Sequence, residues 1–248
     1  MKPLSWIADP RLTVYVAPTP MALPLALKDI IETHWSQVQH RDPQFFRGPV
    51  LSLASIQRDQ SRWSLSTQFT DFAHYLYSRE HLTPDDPYWV RVVFAAALVI
   101  SHDRQLLAGV MARDTARPDR LQSIGGAATW EDVRDGQFDP VRSATKELQE
   151  ETGLAIAQLR LTRPPEVVGC TVDPNGSVAI AVGYLSQLSM PDILHAVGVG
   201  WARRPDPELS EVTAIALGSP GVKWLREQSH RSVRYLERIV LELEDWGT

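Results

Sequence analysis

The chain is poor in cysteine: Cys170 is its only one in 248 residues. No intrachain disulfide is then available, which suits a reducing compartment. One thiol and seven scattered histidines give no zinc-ligand spacing either. Cys170 follows Val167-Val168-Gly169 in an apolar run, which reads as a packed core thiol rather than a nucleophile.

Long hydrophobic runs are missing too. Residues 14–27 are the most apolar early stretch, but Pro18, Pro20 and Pro24 break it and Asp9 and Arg11 precede it. It reads as neither a secretory signal nor a membrane span, so a cytoplasmic protein is expected. No long basic run offsets the formal net charge of −5. That argues against non-specific binding to nucleic acid or to an anionic membrane and leaves room for a local phosphate pocket. No internal repeat or low-complexity tract is present.

What remains is ordinary globular composition, 44% hydrophobic and 22% charged. The length suits one large domain or a domain with an extension. Pro84-Asp85-Asp86-Pro87 is the best boundary. It divides an extension, residues 1–85, from a main domain, residues 86–248. The extension reads as a strand at 13–16, a helix at 25–37, strands at 49–56 and 63–69, and a helix capped by Thr70 or Asp71 and running to Tyr77. Leu25, Ile30, Ile31 and Trp35 form the expected apolar side of the first helix. Trp35, Phe45, Phe46 and Phe72 are read as core rather than as groups that stack on a ligand, since large aromatics normally bury. Their need for burial, and the short connector, predict that residues 1–85 pack on the rest.

Beyond the connector, residues 90–101 read as a buried strand. Residues 105–113 return beside it across His102-Asp103-Arg104, and a polar loop covers 114–120. A strand at 121–126 follows. After the central helix, 166–172 and 178–185 form a hairpin across Asp173-Pro174-Asn175-Gly176, whose Asn-Gly is a strong turn signal. A short helix at 190–197, a strand at 208–217 and a helical region from Ser219-Pro220 complete the chain. Val233, Leu236, Ile239, Val240 and Leu243 make a stripe there, read as a packing face or, alternatively, a homodimer contact. This order predicts an α+β fold.

The central helix organises the rest. Asp139 is a good N-cap, Pro140 suits the first helical position, and Gly153 can leave the helix with φ > 0. Between them Glu147, Glu150 and Glu151 stand at i, i+3 and i+4, on one face. Ala144 and Leu148 turn toward a core on another. Three adjacent carboxylates are either a solvated acidic face or a site for a hard divalent cation such as Mg²⁺ or Mn²⁺. Gly125-Gly126, just after a strand, permits close backbone approach to a ligand.

The run from Gly125-Gly126 to Lys146-Glu147-Leu148-Gln149-Glu150-Glu151-Thr152-Gly153-Leu154 resembles the Nudix box. That pattern is a Gly, a Glu after five residues, then seven residues before Arg-Glu-(apolar)-x-Glu-Glu-x-Gly-(apolar). Lys146 replaces the Arg. Counted back from it, Phe138 holds the place of the first Glu, and the loop at 127–137 is longer than usual. A second, looser resemblance covers residues 30–75. Trp35, then Pro43-Gln44-Phe45-Phe46-Arg47-Gly48-Pro49 and Thr70-Asp71-Phe72 look like the leader of UDP-sugar-diphosphatase-like Nudix proteins. Arg47 stands where an acidic or amide residue is usual there.

The resemblance implies a mixed sheet sandwiched between helices, carrying the extension. It implies an Mg²⁺- or Mn²⁺-dependent hydrolase that splits a nucleoside diphosphate linked to another moiety. The leader points to UDP-glucose or UDP-galactose, giving UMP and a sugar 1-phosphate. The alternatives are ADP-ribose, coenzyme A or nucleoside-triphosphate pyrophosphohydrolysis. A nucleotide sensor without catalysis is a further alternative, favoured by Phe138 and Lys146. Glu147, Glu150 and Glu151 take the places of metal ligands, with the Gly126 carbonyl. Lys146 stands among the catalytic residues. Arg113, Arg117, Arg120, Gly125 and Gly126 are the expected substrate-binding residues, and Glu211 or Glu208 the expected general base.

Overall fold

The structure, a computed structural model, describes residues 4–60, 62–113, 115, 117–202 and 208–247. Two sheets carry it. The first orders β1 (Ser5–Ile7), β10 (Glu166–Val172), β11 (Val178–Leu185), β5 (Val93–Ile100), β6 (Gln105–Met111) and β12 (Leu209–Ala216), with β7 (Leu121–Ser123) also on β6. The second orders β3 (Pro49–Asp59), β4 (Arg62–Asp71), β2 (Thr13–Val16), β9 (Gln137–Phe138) and β8 (Val133–Arg134). Pairing is antiparallel except between β5 and β11 and between β2 and β4. The helices are α1 (Leu25–Arg41), α2 (Phe72–His81), α3 (Pro140–Thr152), α4 (Met190–Trp201), α5 (Ser219–Glu227) and α6 (Arg234–Glu242). The fold is α+β with mixed sheets.

Strand β5 shows why the layers form. Its residues alternate between two cores, as the period of a strand requires. Ala95, Ala97 and Val99 join a core with Ala144 and Leu148 of α3 and Ile193 and Val197 of α4. Ala96, Leu98 and Ile100 join another with Leu225 of α5 and Leu236, Ile239 and Val240 of α6. Being covered on both faces, the strand reads as one apolar run. The first core also takes in Leu12, Val14, Leu51, Leu53, Leu65 and Phe69. Buried side chains from before and after residues 84–87 therefore share one core.

Where local signals are strong, structure and sequence agree. The β10–β11 hairpin turns at Asp173, whose Oδ1 accepts from the Asn175 and Ser177 N–H groups at 2.8 Å each. Elsewhere they differ. Helix α1 runs on to Arg41 and buries Ile31, Trp35 and Val38, while Leu25 is 78% and Ile30 51% exposed. The buried face follows i, i+4, i+7 from Ile31, and the two earlier apolar residues fall outside it. Phe46, expected in the core, is 81% exposed. Helix α2 runs to His81 under an Asp71 cap that accepts from the His74 N–H at 2.9 Å. The C-terminal helical region is two helices, and its stripe from Val233 to Leu243 is buried within the monomer. That stripe is therefore not a dimer contact.

Two features had no local signal. The first is the short hairpin β8–β9 inside the loop after Gly126, which joins the second sheet through β2. The second is the meeting of His34, Glu80 and His81, whose ligand-type atoms lie within 4.8 Å of one another although the sequence shows no metal spacing. There His34 Nε2 and Glu80 Oε2 are 2.9 Å apart, which ties α1 to α2. No helix among the described residues is long and apolar enough to cross a membrane.

Candidate metal and phosphate site

Helix α3 is built as its sequence requires. The Asp139 carboxylate accepts from the Arg142 N–H at 3.0 Å, Pro140 opens the helix, and Gly153 closes it at φ 73°. Ala144 and Leu148 are fully buried, which fixes the rotation of the helix and turns Glu147 and Glu151 toward Gly125-Gly126.

Glu151 is itself buried, and its Oε2 accepts from the Gly125 N–H at 2.9 Å. Gly125 holds φ +146°, and a Cβ there would meet the Ala95 carbonyl oxygen at 2.3 Å. A Cβ on Gly126 would meet the Glu147 carboxylate at 2.3 Å. The missing Cβ of Gly126 thus lets the loop touch the Glu147 carboxylate, and that of Gly125 lets the loop lie against β5 while its N–H reaches Glu151. Burial pushes the Glu147 carboxyl up to about 7; Lys146 opposes this, and the charges of Glu150 and Glu208 add to it. Glu150 is exposed. Glu147, Glu150, Glu151 and Glu208 are hard oxygen donors of the kind that suits a hard divalent cation. No three of their carboxylates come within 4.8 Å of one another, however, a convergence that among the described residues only His34, Glu80 and His81 reach.

The support for this face comes from a residue that the sequence did not single out. Asp132 is fully buried at the end of a 3-10 turn, Trp130–Asp132. Its Oδ2 accepts from the Thr129 N–H at 2.9 Å, from Thr129 Oγ1 at 3.0 Å and from Lys146 Nζ at 3.4 Å. Lys146 Nζ also lies 3.3 Å from Glu147 Oε1. An Asp132–Lys146–Glu147 chain therefore braces the helix. Phe138, which counting back from Lys146 had put in the acidic place, is instead a core side chain on β9. Passing over the five residues that follow Gly126, as the pattern does, reaches Asp132. The extra loop length lies after it and is spent on β8–β9, where Gly136 O accepts from the Val16 N–H at 2.8 Å.

A cavity of about 870 Å³ opens beside this face. Gly125, Gly126, Glu151 and Glu208 line it, as do Arg117 and Arg120. Arg117 Nη2 donates to Tyr75 Oη at 2.6 Å. Five expected residues lie outside the lining: Arg113 and Glu211, which are exposed, and Lys146, Glu147 and Glu150 of α3. Glu211 sits on β12 opposite Val110, where the register is irregular. Of the two candidate bases, only Glu208 borders the cavity. Residues 1–85 contribute Phe45, Phe72, Tyr75 and Arg79 to its wall. Phe45 and Phe72 fall in the leader segments, whereas no motif marks Tyr75 or Arg79, although their spacing from Phe72 puts all three on one face of a helix.

No protein-family model and no curated protein matches the sequence. Solved structures similar to this chain include Nudix hydrolases. A bifunctional NMN adenylyltransferase/ADP ribose pyrophosphatase from Francisella tularensis matches with a TM-score of 0.43 and 18% identity, over 70% of this chain and 46% of that one. The chain thus spans less than half the length of that protein. A NUDIX hydrolase from Nitrosomonas europaea matches at 0.35 and 18%, over 60% of this chain and 85% of that one. A NUDIX-family hydrolase from Clostridium perfringens matches at 0.36 and 12%, over 62% and 97% respectively.

Proposed function

We propose that this chain is a Nudix-type hydrolase that uses Mg²⁺ or Mn²⁺ to split the diphosphate of a nucleoside diphosphate joined to another moiety. The observation that carries this is the seating of Glu147 and Glu151 of a capped helix against Gly125-Gly126, beside a cavity that Arg117 and Arg120 also line. A bound dication would neutralise diphosphate charge and lower the pKa of water. Glu147, Glu150 and Glu151, with the Gly126 carbonyl, would hold it. Arg117 and Arg120 would grip phosphate oxygens through forked hydrogen bonds. Glu208 would take the proton of the attacking water, within reach of the same cavity.

A sensor without catalysis is less well supported. Its case rested on Phe138 and Lys146, and the Asp132–Lys146–Glu147 chain supplies the brace they had left in doubt. A binding module also has little reason to bury Glu147 beside the charges of Glu150 and Glu208, which together hold its carboxyl up at about 7. The substrate we favour is UDP-glucose or UDP-galactose, split to UMP and a sugar 1-phosphate, on the strength of the leader's resemblance. A cytoplasmic setting is in keeping with the single, buried cysteine.

Incubation of the chain with UDP-sugars, ADP-ribose, coenzyme A and nucleoside triphosphates, with Mg²⁺ or Mn²⁺, followed by chromatography, tests the reading. UMP and sugar 1-phosphate are the expected products. Cleavage of ADP-ribose or coenzyme A with inert UDP-sugars would keep the hydrolase and discard the sugar nucleotide. No cleavage of any compound with either metal would discard the hydrolase.

A further inference from the structure

Helix α2 shows the cavity one face of a particular chemistry. Phe72, Tyr75 and Arg79 stand at i, i+3 and i+7 and line it together. The Phe72 and Tyr75 rings stack, with centroids 5.6 Å apart and planes at 28°. The Arg79 guanidinium lies 5.1 Å from the Tyr75 ring centre and 4.3 Å from that of Trp89. It is anchored by donating to the Val90 carbonyl at 2.8 Å and to Ser177 Oγ at 3.3 Å, while its buried Nε has no partner. These rings are not covered as core aromatics are. Phe69 and Tyr184 are fully buried, whereas Phe72 and Tyr75 are half-buried and border open space.

Planar rings with a fixed cation beside them match a planar, polarisable ligand group, and stacking of this kind accepts any nucleobase. The link to phosphate is direct, since Arg117 donates to the Tyr75 hydroxyl from among the cationic lining residues. We infer that the Phe72–Tyr75–Arg79 face of α2 is a nucleobase subsite, so that the extension reads the base of a nucleotide whose phosphates face the carboxylate helix. This rests on the diphosphate-hydrolase reading for its orientation, but not for its existence.

Calorimetric titration of the full chain with UMP, AMP and ribose 5-phosphate tests it, because the last keeps the phosphate and lacks the base. At least one nucleotide should bind roughly tenfold more tightly than ribose 5-phosphate, the size expected from one base on an aromatic platform. Tyr75→Phe keeps the ring and should keep that preference. Tyr75→Leu keeps bulk without a ring face and should abolish it, and Phe72→Leu serves the same purpose should the first variant not fold. Equal binding of all three phosphates by the wild type would overturn the subsite. So would an undiminished preference in a folded leucine variant. Nucleotide preference without any hydrolysis would leave the subsite and remove the enzyme. Hydrolysis without base preference would do the reverse.

Discussion

Glu147 is held where a charge is costly. Its side chain is 12% exposed, and its carboxyl stands at about 7 against an ordinary value of 4.5. Between those two pH values the native chain keeps a proton that the unfolded chain has lost. Stability in the absence of metal should therefore fall as pH rises from about 4.5 to 7. Glu147→Gln stays neutral and should flatten that fall. Urea titrations in EDTA across this range check it, and parallel profiles for the two proteins would refute it. Asp132 makes the opposite demand. Lys146→Ala should cost about 1–2 kcal/mol by depriving a buried carboxylate of its cation, and Lys146→Arg should cost little, both read by denaturant midpoints. The helix carboxylates were legible because i, i+3, i+4 is a local relation. Asp132 was not, because a hairpin separates it from the lysine it meets.

At the scale of elements, the glycine turn and α3 act as one unit. Gly125→Ala would drive a Cβ into the Ala95 carbonyl at a φ that side chains rarely adopt, so backbone must move. A loss on the order of 2–4 kcal/mol is expected. Gly126→Ala would meet only the end of a flexible Glu147 side chain, which can swing away. It should melt close to the wild type and yet lose most metal-dependent hydrolysis. Comparing melting with activity in the two variants separates these outcomes, and equal destabilisation would contradict them. Element signals in the sequence varied with how local they were. The caps of α3 and the Asn-Gly turn of β10–β11 act within a few residues and were readable. The face of α1 was misjudged because Leu25 and Ile30 are apolar yet point away from Ile31, Trp35 and Val38. Strands β8 and β9, two residues each, carry no periodicity to read.

For the whole molecule, the connector at 84–87 looks like a boundary in sequence, but long-range pairing crosses it. β1 adds to the first sheet through β10, and β8–β9 close the second sheet through β2. Such pairings leave no local trace, so the need of the early aromatics for burial pointed to a shared core while the strand partners that build it were not legible. Limited proteolysis near residues 84–87 should therefore not release two stably folded fragments, and recovery of two that each melt cooperatively would contradict this. The binding of a cation by the folded site and not by the unfolded chain should also appear as global stabilisation. The most direct test is a thermal melt of the wild type and the Glu150→Gln/Glu151→Gln variant, with and without Mg²⁺, run beside the hydrolysis assay. Mg²⁺ is expected to raise the wild-type melting temperature and support hydrolysis, with both effects absent in a variant that still folds. If both proteins respond to the metal alike and hydrolyse alike, these carboxylates are only a solvated acidic face.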